Sequence, residues 1–391
     1  MKGKTFETKK VYIILSLITL VSATLALLIS NGKLFQVLFF IDPDDTGMDF
    51  FHSLIETHTR KPYTQYGVIY PPLANLFFYL LQLFVPDSLK ADWPATHDDS
   101  KLIVGTGEDV RLMQSTMVLF LMFLILTLFV ISVMIHSCTK SYLLTFCLVF
   151  SAGTFQAVER GNLILLAFVL IFYFIKHYED ERRLTRELAL IALACAFGLK
   201  LFPAAFGILL LKKGHFAAAG RAILYAILVT LLPLFFFEGF DGISAWMKTL
   251  FDFRTVDNAT SSGTSVMSVL SAVILVLCVG ILLYHMFFAK EHRKLFRSQY
   301  LMLVTFLALQ ITDGCSSYNL ILFIIPFLFF LEEVPRLDKI SCIEFIVYCI
   351  ALLPVGINQI TPVFMAFFLL GAFLRIKDQN REMLQDGIST V

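Results

Sequence analysis

The chain has 391 residues, of which 58% are hydrophobic and 16% charged, and its formal net charge is +1. The mean hydropathy of +0.79 exceeds what a soluble domain can bury, so the composition excludes a soluble enzyme and predicts a polytopic membrane protein. The balanced charge also argues against nucleic acid as a partner. We therefore expect membrane lipids to surround the chain.

Apolar runs of about 20 residues, each long enough to cross a hydrocarbon core of about 30 Å, recur from residue 11 to residue 374. Because no alternating barrel pattern is visible, each run is predicted to be an α-helix. The first run, 11–30, is longer than the apolar part of a signal peptide and is interpreted as an uncleaved anchor. The second crossing is expected over 112–135. We predict one all-α transmembrane domain, 1–391, with about twelve membrane segments.

The distribution of Lys and Arg predicts the orientation, because short cytoplasmic loops retain positive charge. Residues 1–10 are basic, and Arg375, Lys377 and Arg381 form a basic cluster after the last apolar run, so both terminal segments, 1–10 and 376–391, are predicted to be cytoplasmic. The acidic balance of 87–111 favours one large external loop over 31–111, and a second external loop is expected over 238–265. The basic positions predicted to lie inside include Lys140, Lys176, Arg221, Arg297 and Arg336.

Two segments do not fit a simple crossing. Residues 72–84 are too short to span, so they are predicted to form a lateral helix along the outer interface. Residues 188–211 have basic loops at both ends, which leaves either one crossing that violates the charge rule or a short re-entrant hairpin. We favour a hairpin that bends at Gly198-Leu199-Lys200-Leu201-Phe202-Pro203.

An acid and a buried cation are the first candidates for a functional site. Asp49 begins an amphipathic segment, so its carboxylate would be held at the interface and could act as a base; its alternative role is to cap that helix. Lys200 lies inside an apolar run, where a cation could neutralise a phosphate that enters from the lipid. The alternative is a lysine that snorkels to the headgroups.

The sequence Glu159-Arg160-Gly161-Asn162 is predicted to open the next helix at its outer end. A helix N-terminus and an arginine both favour anions there, although a simple Glu-Arg ion pair is the alternative. Asn162 and Asn258 could donate hydrogen bonds to hydroxyl or phosphate groups. Tyr63 and Tyr70 could stack on sugar or pack the lateral helix.

We expect no cofactor and no metal site. Asp42, Asp44 and Asp45 faintly resemble the start of a calcium loop, but Ser53 stands where the bidentate Glu is required. A divalent ion at this loop is the open alternative. The seven cysteines are scattered without metal or disulfide spacing.

Four short blocks, in order, resemble glycosyltransferase family 87, the membrane transferases of the GT-C class that use polyprenyl-phosphate sugars. Two positions depart from the family's pattern, and both bear on substrate specificity. Arg160 precedes Gly161-Asn162, and Asn319 stands where histidine is expected in many relatives. The blocks are Asp49-Phe50 with Pro62-Tyr63 and Tyr70-Pro71-Pro72-Leu73; Gly161-Asn162-Leu163; Leu199-Lys200-Leu201-Phe202-Pro203; and Ser316-Ser317-Tyr318-Asn319 ahead of Pro326.

The resemblance implies a GT-C-like helical bundle and an inverting hexosyltransferase of a prokaryotic plasma membrane. The enzyme would move a hexose, such as mannose, from a polyprenyl-phosphate donor to a hydroxyl of a lipid- or glycan-linked acceptor on the non-cytoplasmic face. Asp49 would be the base, and Lys200 with Arg160 would bind the donor phosphate. The expected substrate contacts are Tyr63, Tyr70, Asn162, Asn258, Ser317, Tyr318 and Asn319.

Two other classes of function remain open at this point. A transporter or a lipid or glycan flippase would also have charged residues in membrane helices, but such folds often show paired, interrupted helices. The sequence indicates only one interrupted hairpin. A glycan polymerase or ligase would use an external loop with a different set of acids and bases.

Overall fold

A computed structural model describes residues 6–34, 46–90, 114–212, 214–260, 266–287, 295–311, 317–355 and 366–377. Over these ranges the protein is a bundle of helices, which confirms the all-α prediction. Besides helices, these ranges contain one antiparallel pair of two-residue strands, in which β1 (Phe6–Glu7) lies against β2 (Arg336–Leu337).

The first half of the bundle contains α1 (Thr8–Ile29), α2 (Met48–Thr57), α3 (Pro72–Gln82), α4 (Asp87–Lys90), α5 (Gln114–Thr139), α6 (Tyr142–Val149), α7 (Ala152–Arg160), α8 (Ile164–His177) and α9 (Arg183–Leu199). The second half contains the 3₁₀ helix η1 (Phe202–Gly207), α10 (Ile208–Lys212), α11 (Phe216–Phe237), α12 (Gly239–Thr260), α13 (Val266–Phe287), α14 (Arg297–Ile311), the 3₁₀ helix η2 (Ser317–Phe323), α15 (Ile324–Glu333) and α16 (Ser341–Leu352). A last helix, α17, covers 366–377.

In the part of the chain that the structure describes, three helices are long and apolar enough to cross a membrane: α1, α5 and α11. The pair α6 and α7 is bent by 54° and would be a fourth span if it crosses as one unit. The first two crossings predicted from the sequence coincide with α1 and α5. The total of about twelve segments stays a prediction, because several other apolar helices here, such as α8 and α16, are shorter than a span.

The bundle has one end that is rich in basic residues. Lys176 Nζ donates to Ser137 Oγ over 3.0 Å, which joins the ends of α8 and α5. Arg221 lies 3.0 Å from Glu187, and Arg297 Nη2 donates to the Ile175 carbonyl over 3.2 Å. Basic clusters that the sequence predicts to lie inside therefore share one end. That this end faces the cytoplasm stays a prediction.

The helix α2 lies at the other end of the bundle. The Gly47 amide, one residue before α2, donates to the Glu159 carbonyl in the last turn of α7 over 2.7 Å. The end of α7 precedes the start of α8, and α8 then runs toward Lys176 at the basic end. The start of α2 therefore lies about one helix length away from the basic residues.

The chain bends sharply at Lys200. This residue follows the end of α9 in an extended conformation, with φ −146° and ψ 140°. The helix η1 begins two residues later, and Pro203 lies in its first turn, where a proline is favoured. A Cβ built on Gly207 would lie 4.0 Å from Leu193 Cδ2. Residues on the two sides of Lys200 are thus neighbours, and the chain folds back at the predicted position. A re-entrant path through a bilayer stays a prediction.

The contact between α7 and η2 is closer than a side chain would allow. A Cβ on Gly153 would lie 2.3 Å from the Ile321 amide nitrogen and 2.7 Å from the Leu320 carbonyl carbon. Because both neighbours are backbone atoms, they cannot rotate away as a side chain would. Glycine at position 153 therefore permits η2, which contains Tyr318, to pack against the helix that ends at Arg160.

We expect Gly153→Ala to destabilise the protein, because overpacking a fixed backbone contact costs about 1–3 kcal/mol. The measurement is the thermal unfolding temperature of the purified protein. Gly220→Ala is the matched control: Gly220 lies within α11, and a Cβ added there would meet no neighbouring atom within 4 Å, so the change should leave the unfolding temperature equal or higher. Equal behaviour of the two variants would contradict the tight contact.

Candidate active site

Aromatic packing fixes the helix that begins just before Asp49. The Phe50 ring is buried, and its centroid lies 5.6 Å from that of Phe78 on α3 and 5.3 Å from that of Phe120 on α5. Phe51 also contacts Phe120, at 5.0 Å. Since α2 is anchored on this side, Asp49 projects from the other side of the helix.

Both oxygens of the Asp49 carboxylate accept hydrogen bonds. Arg160 Nη2 donates to Oδ1 over 2.8 Å, and Asn162 Nδ2 donates to Oδ2. The Asp49 side chain is 15% exposed and that of Arg160 27%. The carboxylate is therefore mostly withdrawn from water, and its orientation is set by two donors from a single turn of the chain.

Gly161 makes this turn possible. It caps α7 in the left-handed region at φ 64°, where glycine is strongly preferred. A Cβ at this position would lie 2.7 Å from the Phe120 ring and 2.9 Å from Phe50 Cβ. The turn directs the residues on its two sides, Arg160 and Asn162, toward the same carboxylate.

The structure corrects the prediction that Glu159 and Arg160 open a helix. They form the last turn of α7, because the left-handed glycine ends that helix, and α8 begins only at Ile164. The proposed anion site of Arg160 at a helix N-terminus is therefore wrong, since the carbonyl end of a helix is partially negative. Asn162 does precede the new helix, and its Oδ1 accepts the Ile164 amide over 2.8 Å.

Lys200 lies between two tyrosine rings. Its ammonium is 4.6 Å from the centroid of the Tyr70 ring and 5.5 Å from that of Tyr318. It also donates to Tyr70 Oη over 3.5 Å. The bend after α9 gives the cation this position, and rings around it provide favourable cation–π contacts.

The pKa of Asp49 reflects two opposing effects. Burial raises the pKa of this carboxyl above its usual range, while the Lys200 ammonium and the hydrogen bond from Asn162 lower it by less. Asp49 is consequently more basic than an exposed aspartate. The charge of Lys200 nevertheless acts on this carboxylate, so the two groups belong to one site.

Four parts of the chain meet at this site, and each contains one of the family-like blocks. The residues that the structure brings together are Asp49, Tyr70, Arg160, Asn162, Lys200 and Tyr318. Tyr63 is 2% exposed, and its hydroxyl donates to the Tyr70 carbonyl over 3.3 Å. This hydrogen bond helps to fix the backbone at Tyr70. Asn319 is also buried.

Several other predicted residues lie outside the part of the chain that the structure describes. The acids of the calcium-like loop, Asp42, Asp44 and Asp45, belong to the segment 35–45. The side chains of Asn258 and Ser317 are outside it as well. Their predicted roles stay predictions. In the described ranges, no group of three His, Cys, Asp or Glu residues is placed to hold a metal ion.

The sequence interpretation missed Glu238, which fixes the loop before Tyr70. The carboxylate at the end of α11 accepts the Tyr63 amide over 2.9 Å, the Thr64 amide over 3.0 Å and the Thr64 hydroxyl. Trp246 Nε1 reinforces the loop by donating to the Ile69 carbonyl over 3.2 Å. The one available signal was an acid followed by glycine at the edge of a predicted external loop.

His52 and Glu56 were also missed. They follow Asp49 at helical spacing, i+3 and i+7, on the face of α2 opposite Phe50 and Phe51. The sequence could have revealed both residues, because they lie on the polar face of an amphipathic helix whose opposite face is apolar. Burial and the charge of Asp49 raise the pKa of Glu56 to about 7.

These features define a helical membrane protein with a mostly buried acid, two cations and two tyrosines at one end of its bundle. The sequence profile of glycosyltransferase family 87 matches residues 69–312, which is well over half of the chain. The chain belongs to glycosyltransferase family 87 and is a membrane glycosyltransferase. Tyr70, Arg160, Asn162 and Lys200 lie within the match, whereas Asp49 precedes it. No curated protein and no solved structure matches the chain.

We expect Glu238→Gln to loosen the loop that contains Tyr63 and Thr64. A Gln side chain has one acceptor oxygen and turns an NH₂ group toward backbone amides, and each lost hydrogen bond to a charged group costs about 1.5–3 kcal/mol. Hydrogen exchange of the Tyr63 and Thr64 amides should therefore accelerate at least about tenfold, while the amides of α8 keep their rates. Glu181→Gln, at an exposed position, is the control. Unchanged exchange at Tyr63 would exclude this role of Glu238.

Proposed function

We propose that the protein transfers a hexose, such as mannose, from a polyprenyl-phosphate donor to a hydroxyl of a lipid- or glycan-linked acceptor, with inversion. The reaction would occur on the non-cytoplasmic face of a prokaryotic plasma membrane. The observation that best supports this function is a mostly buried carboxylate, Asp49, whose raised pKa is also acted on by the Lys200 ammonium, which lies over the Tyr70 ring. Transfer from a sugar phosphate requires a base for the acceptor hydroxyl and a cation for the leaving phosphate, and these two groups would provide them.

Asp49 would act as the general base. As the acceptor oxygen attacks the anomeric carbon, its proton moves to a carboxylate oxygen, and the bond from the anomeric carbon to the phosphate oxygen breaks. The raised pKa of Asp49 makes the carboxylate a better proton acceptor. The hydrogen bonds from Arg160 and Asn162 would hold it in the orientation that attack from the opposite face requires.

Lys200 would stabilise the leaving polyprenyl phosphate. A phosphate leaving group needs no general acid, but the negative charge that develops on it must be compensated in a site of low dielectric. The tyrosines at 70 and 318 would keep the ammonium at the position that this charge occupies. A phosphate role for Arg160 stays a prediction, because its observed contact is with the base.

An apolar groove beside Lys200 would suit the lipid part of the donor. Its volume is about 700 Å³, and Phe197 and Ala204, on the two sides of Lys200, both line it. Along α11 it is bordered by Ile223 and Ile227, which are 62% and 48% exposed on the outer surface of the bundle. A polyprenyl chain could therefore enter sideways from the lipid while its phosphate approaches the cation.

The rival functions have less support. The bend of 54° between α6 and α7 adds a second interrupted element to the one at Lys200. Interrupted helices by themselves therefore do not argue against a transporter or flippase. Membership in a glycosyltransferase family favours bond transfer over vectorial movement, and it likewise favours addition of a sugar over polymerase or ligase activity.

We expect Asp49→Asn to lower transfer at least about 100-fold, because an amide cannot accept the proton. The assay follows radiolabelled mannose from decaprenyl-phosphate mannose to membrane lipid acceptors. Asp87→Asn, at an exposed acid, should retain activity. Loss of sugar from the carrier only when acceptor is present is the expected behaviour of the wild type. Full turnover by Asp49→Asn would exclude Asp49 as the base.

The pH profile of kcat/KM offers an independent test. The acidic limb should have its midpoint above the ordinary aspartate pKa of about 3.9, because burial raises the pKa of Asp49. Lys200→Met removes the cation that lowers this pKa, so the midpoint should move to higher pH while the rate falls. Lys176→Met, at the basic end of the bundle, should leave the midpoint in place. A shift to lower pH in Lys200→Met would contradict the assigned electrostatics.

A further inference from the structure

The helix α12 follows directly on a helix that can cross the membrane. The helix α11 is long and apolar enough to span, and its 22 residues correspond to about 33 Å along its axis. Arg221, near its start, lies at the basic end of the bundle, so the end of α11 reaches the opposite membrane surface. One residue, Glu238, separates α11 from α12. The helix α12 therefore begins at the level where lipid chains meet headgroups.

The chain turns sharply between these two helices. Gly239 has a positive φ of 57°, which glycine adopts without strain. A Cβ on Gly242 would lie 3.7 Å from Leu234 Cδ2 in the last turn of α11, whereas positions 234 and 242 of one continuous helix would be about 12 Å apart. The helix α12 therefore folds over the end of α11 and does not extend straight away from the membrane.

The exposed surface of α12 divides into an apolar sector and a charged sector. Phe240, Met247 and Phe251 are 77%, 43% and 62% exposed, and at about 100° per residue they fall within an arc of about 40°. A second arc of the same width, about 100° away, consists of the exposed charged residues Asp241, Lys248 and Asp252. This division is typical of a helix at the lipid–water interface, because one sector contacts acyl chains and the other contacts water and headgroups.

The apolar sector of α12 continues the lipid-facing surface of α11. The ring centroid of Phe240 lies 5.5 Å from that of Phe235, which is 56% exposed on α11. Leu232, one turn earlier, is 65% exposed. Since α11 is apolar and little of its surface is buried, these side chains face lipid. The same lipid layer therefore reaches the apolar sector of α12.

The opposite side of α12 holds the loop that precedes Tyr70. The buried Trp246 side chain donates from Nε1 to the Ile69 carbonyl over 3.2 Å, and its ring centroid lies 6.1 Å from that of Tyr63. The helix α12 thus lies between this loop and its own exposed apolar sector. A displacement of α12 would consequently move the loop.

We propose that α12 lies on the membrane surface, with Phe240, Met247 and Phe251 inserted among the lipid chains beside α11, and that this contact fixes the loop of residues 63–69. The partner is the bilayer itself, which offers acyl chains to the apolar sector and headgroups to the charged sector. A second copy of the chain bound to this face is the alternative that the test distinguishes. The inference concerns the contact between protein and bilayer, and it does not depend on the proposed reaction.

The membrane contact is tested by tryptophan fluorescence of the full-length protein in nanodiscs of phosphatidylcholine brominated on its acyl chains. Met247→Trp and Lys248→Trp are a matched pair, because the two positions lie at the same level of α12 but in different sectors. Both variants retain the two native tryptophans. The brominated lipid should quench the added fluorescence of Met247→Trp at least about twofold more than that of Lys248→Trp. Aqueous iodide should give the reverse order, and Phe251→Trp should behave like Met247→Trp.

Two results would overturn the membrane contact. The first is equal quenching of Met247→Trp and Lys248→Trp by the lipid, or stronger quenching of Met247→Trp by iodide. The second is protection of Met247→Trp and Phe251→Trp from both quenchers, because a protein partner such as a second copy would then cover the apolar sector.

The support of the loop is tested by hydrogen exchange in nanodiscs. The amides of Gly67 and Val68 donate to backbone carbonyls within the same loop. Phe240→Ser combined with Phe251→Ser removes most of the apolar sector, so exchange of these two amides should accelerate at least about threefold while the amides of α8 keep their rates. Ser244→Ala, at an exposed position of the same helix, is the control and should leave the loop unchanged.

Unchanged exchange at Gly67 and Val68 in the double variant would refute the link between the membrane contact and the loop. Equal acceleration throughout the bundle would refute it as well, because the substitutions would then act on the stability of the whole protein.

Discussion

The contact between Asp49 and the turn Arg160-Gly161-Asn162 determines the geometry of this site. A carboxylate that is mostly removed from water is costly unless hydrogen bonds satisfy its oxygens. Here both donors come from one turn, and that turn exists because position 161 has no side chain and a positive φ. The same glycine lies against Phe50 and Phe120, so the aromatic packing that anchors α2 and the polar contacts of Asp49 form together.

The electrostatics of the site follow from this arrangement. Burial raises the pKa of Asp49, and a cation in the low-dielectric interior restrains the increase. Lys200 reaches this position because α9 ends at Leu199 and the chain turns back through η1. Had α9 continued as a helix, this side chain would follow the helix direction rather than lie against Tyr70 and Tyr318. A basic carboxylate and a nearby cation are thus consequences of two interrupted helices.

The supports of the site lie away from the reacting groups. Glu238, at the end of α11, binds the backbone of the loop that precedes Tyr70, and Gly153 lets η2 approach α7 so that Tyr318 lies near Lys200. These contacts connect distant parts of the chain at the end of the bundle opposite Lys176 and Arg297. The site therefore depends on how the helices pack, even though each reacting side chain belongs to a short local motif.

The sequence by itself determined the all-helical membrane class, the family and the helices α1 and α5, and it identified Asp49, Tyr70 and Lys200 as candidate site residues. Hydropathy sets the class, and an acid or cation next to an apolar run is conspicuous because it is costly there. The bend near Lys200 was also readable, since Pro203 disfavours a continuous helix.

The tertiary structure alone decided which of these groups are neighbours. Asp49 and Arg160 are 111 residues apart in the chain, and no local periodicity encodes a pairing at that separation. From the sequence alone, Arg160 was therefore predicted at the start of a helix. Neither Glu238 nor Glu56 was identified as a candidate residue. Helix propensity and hydropathy act over a few turns, whereas a shared site forms only when distant parts of the chain pack against each other.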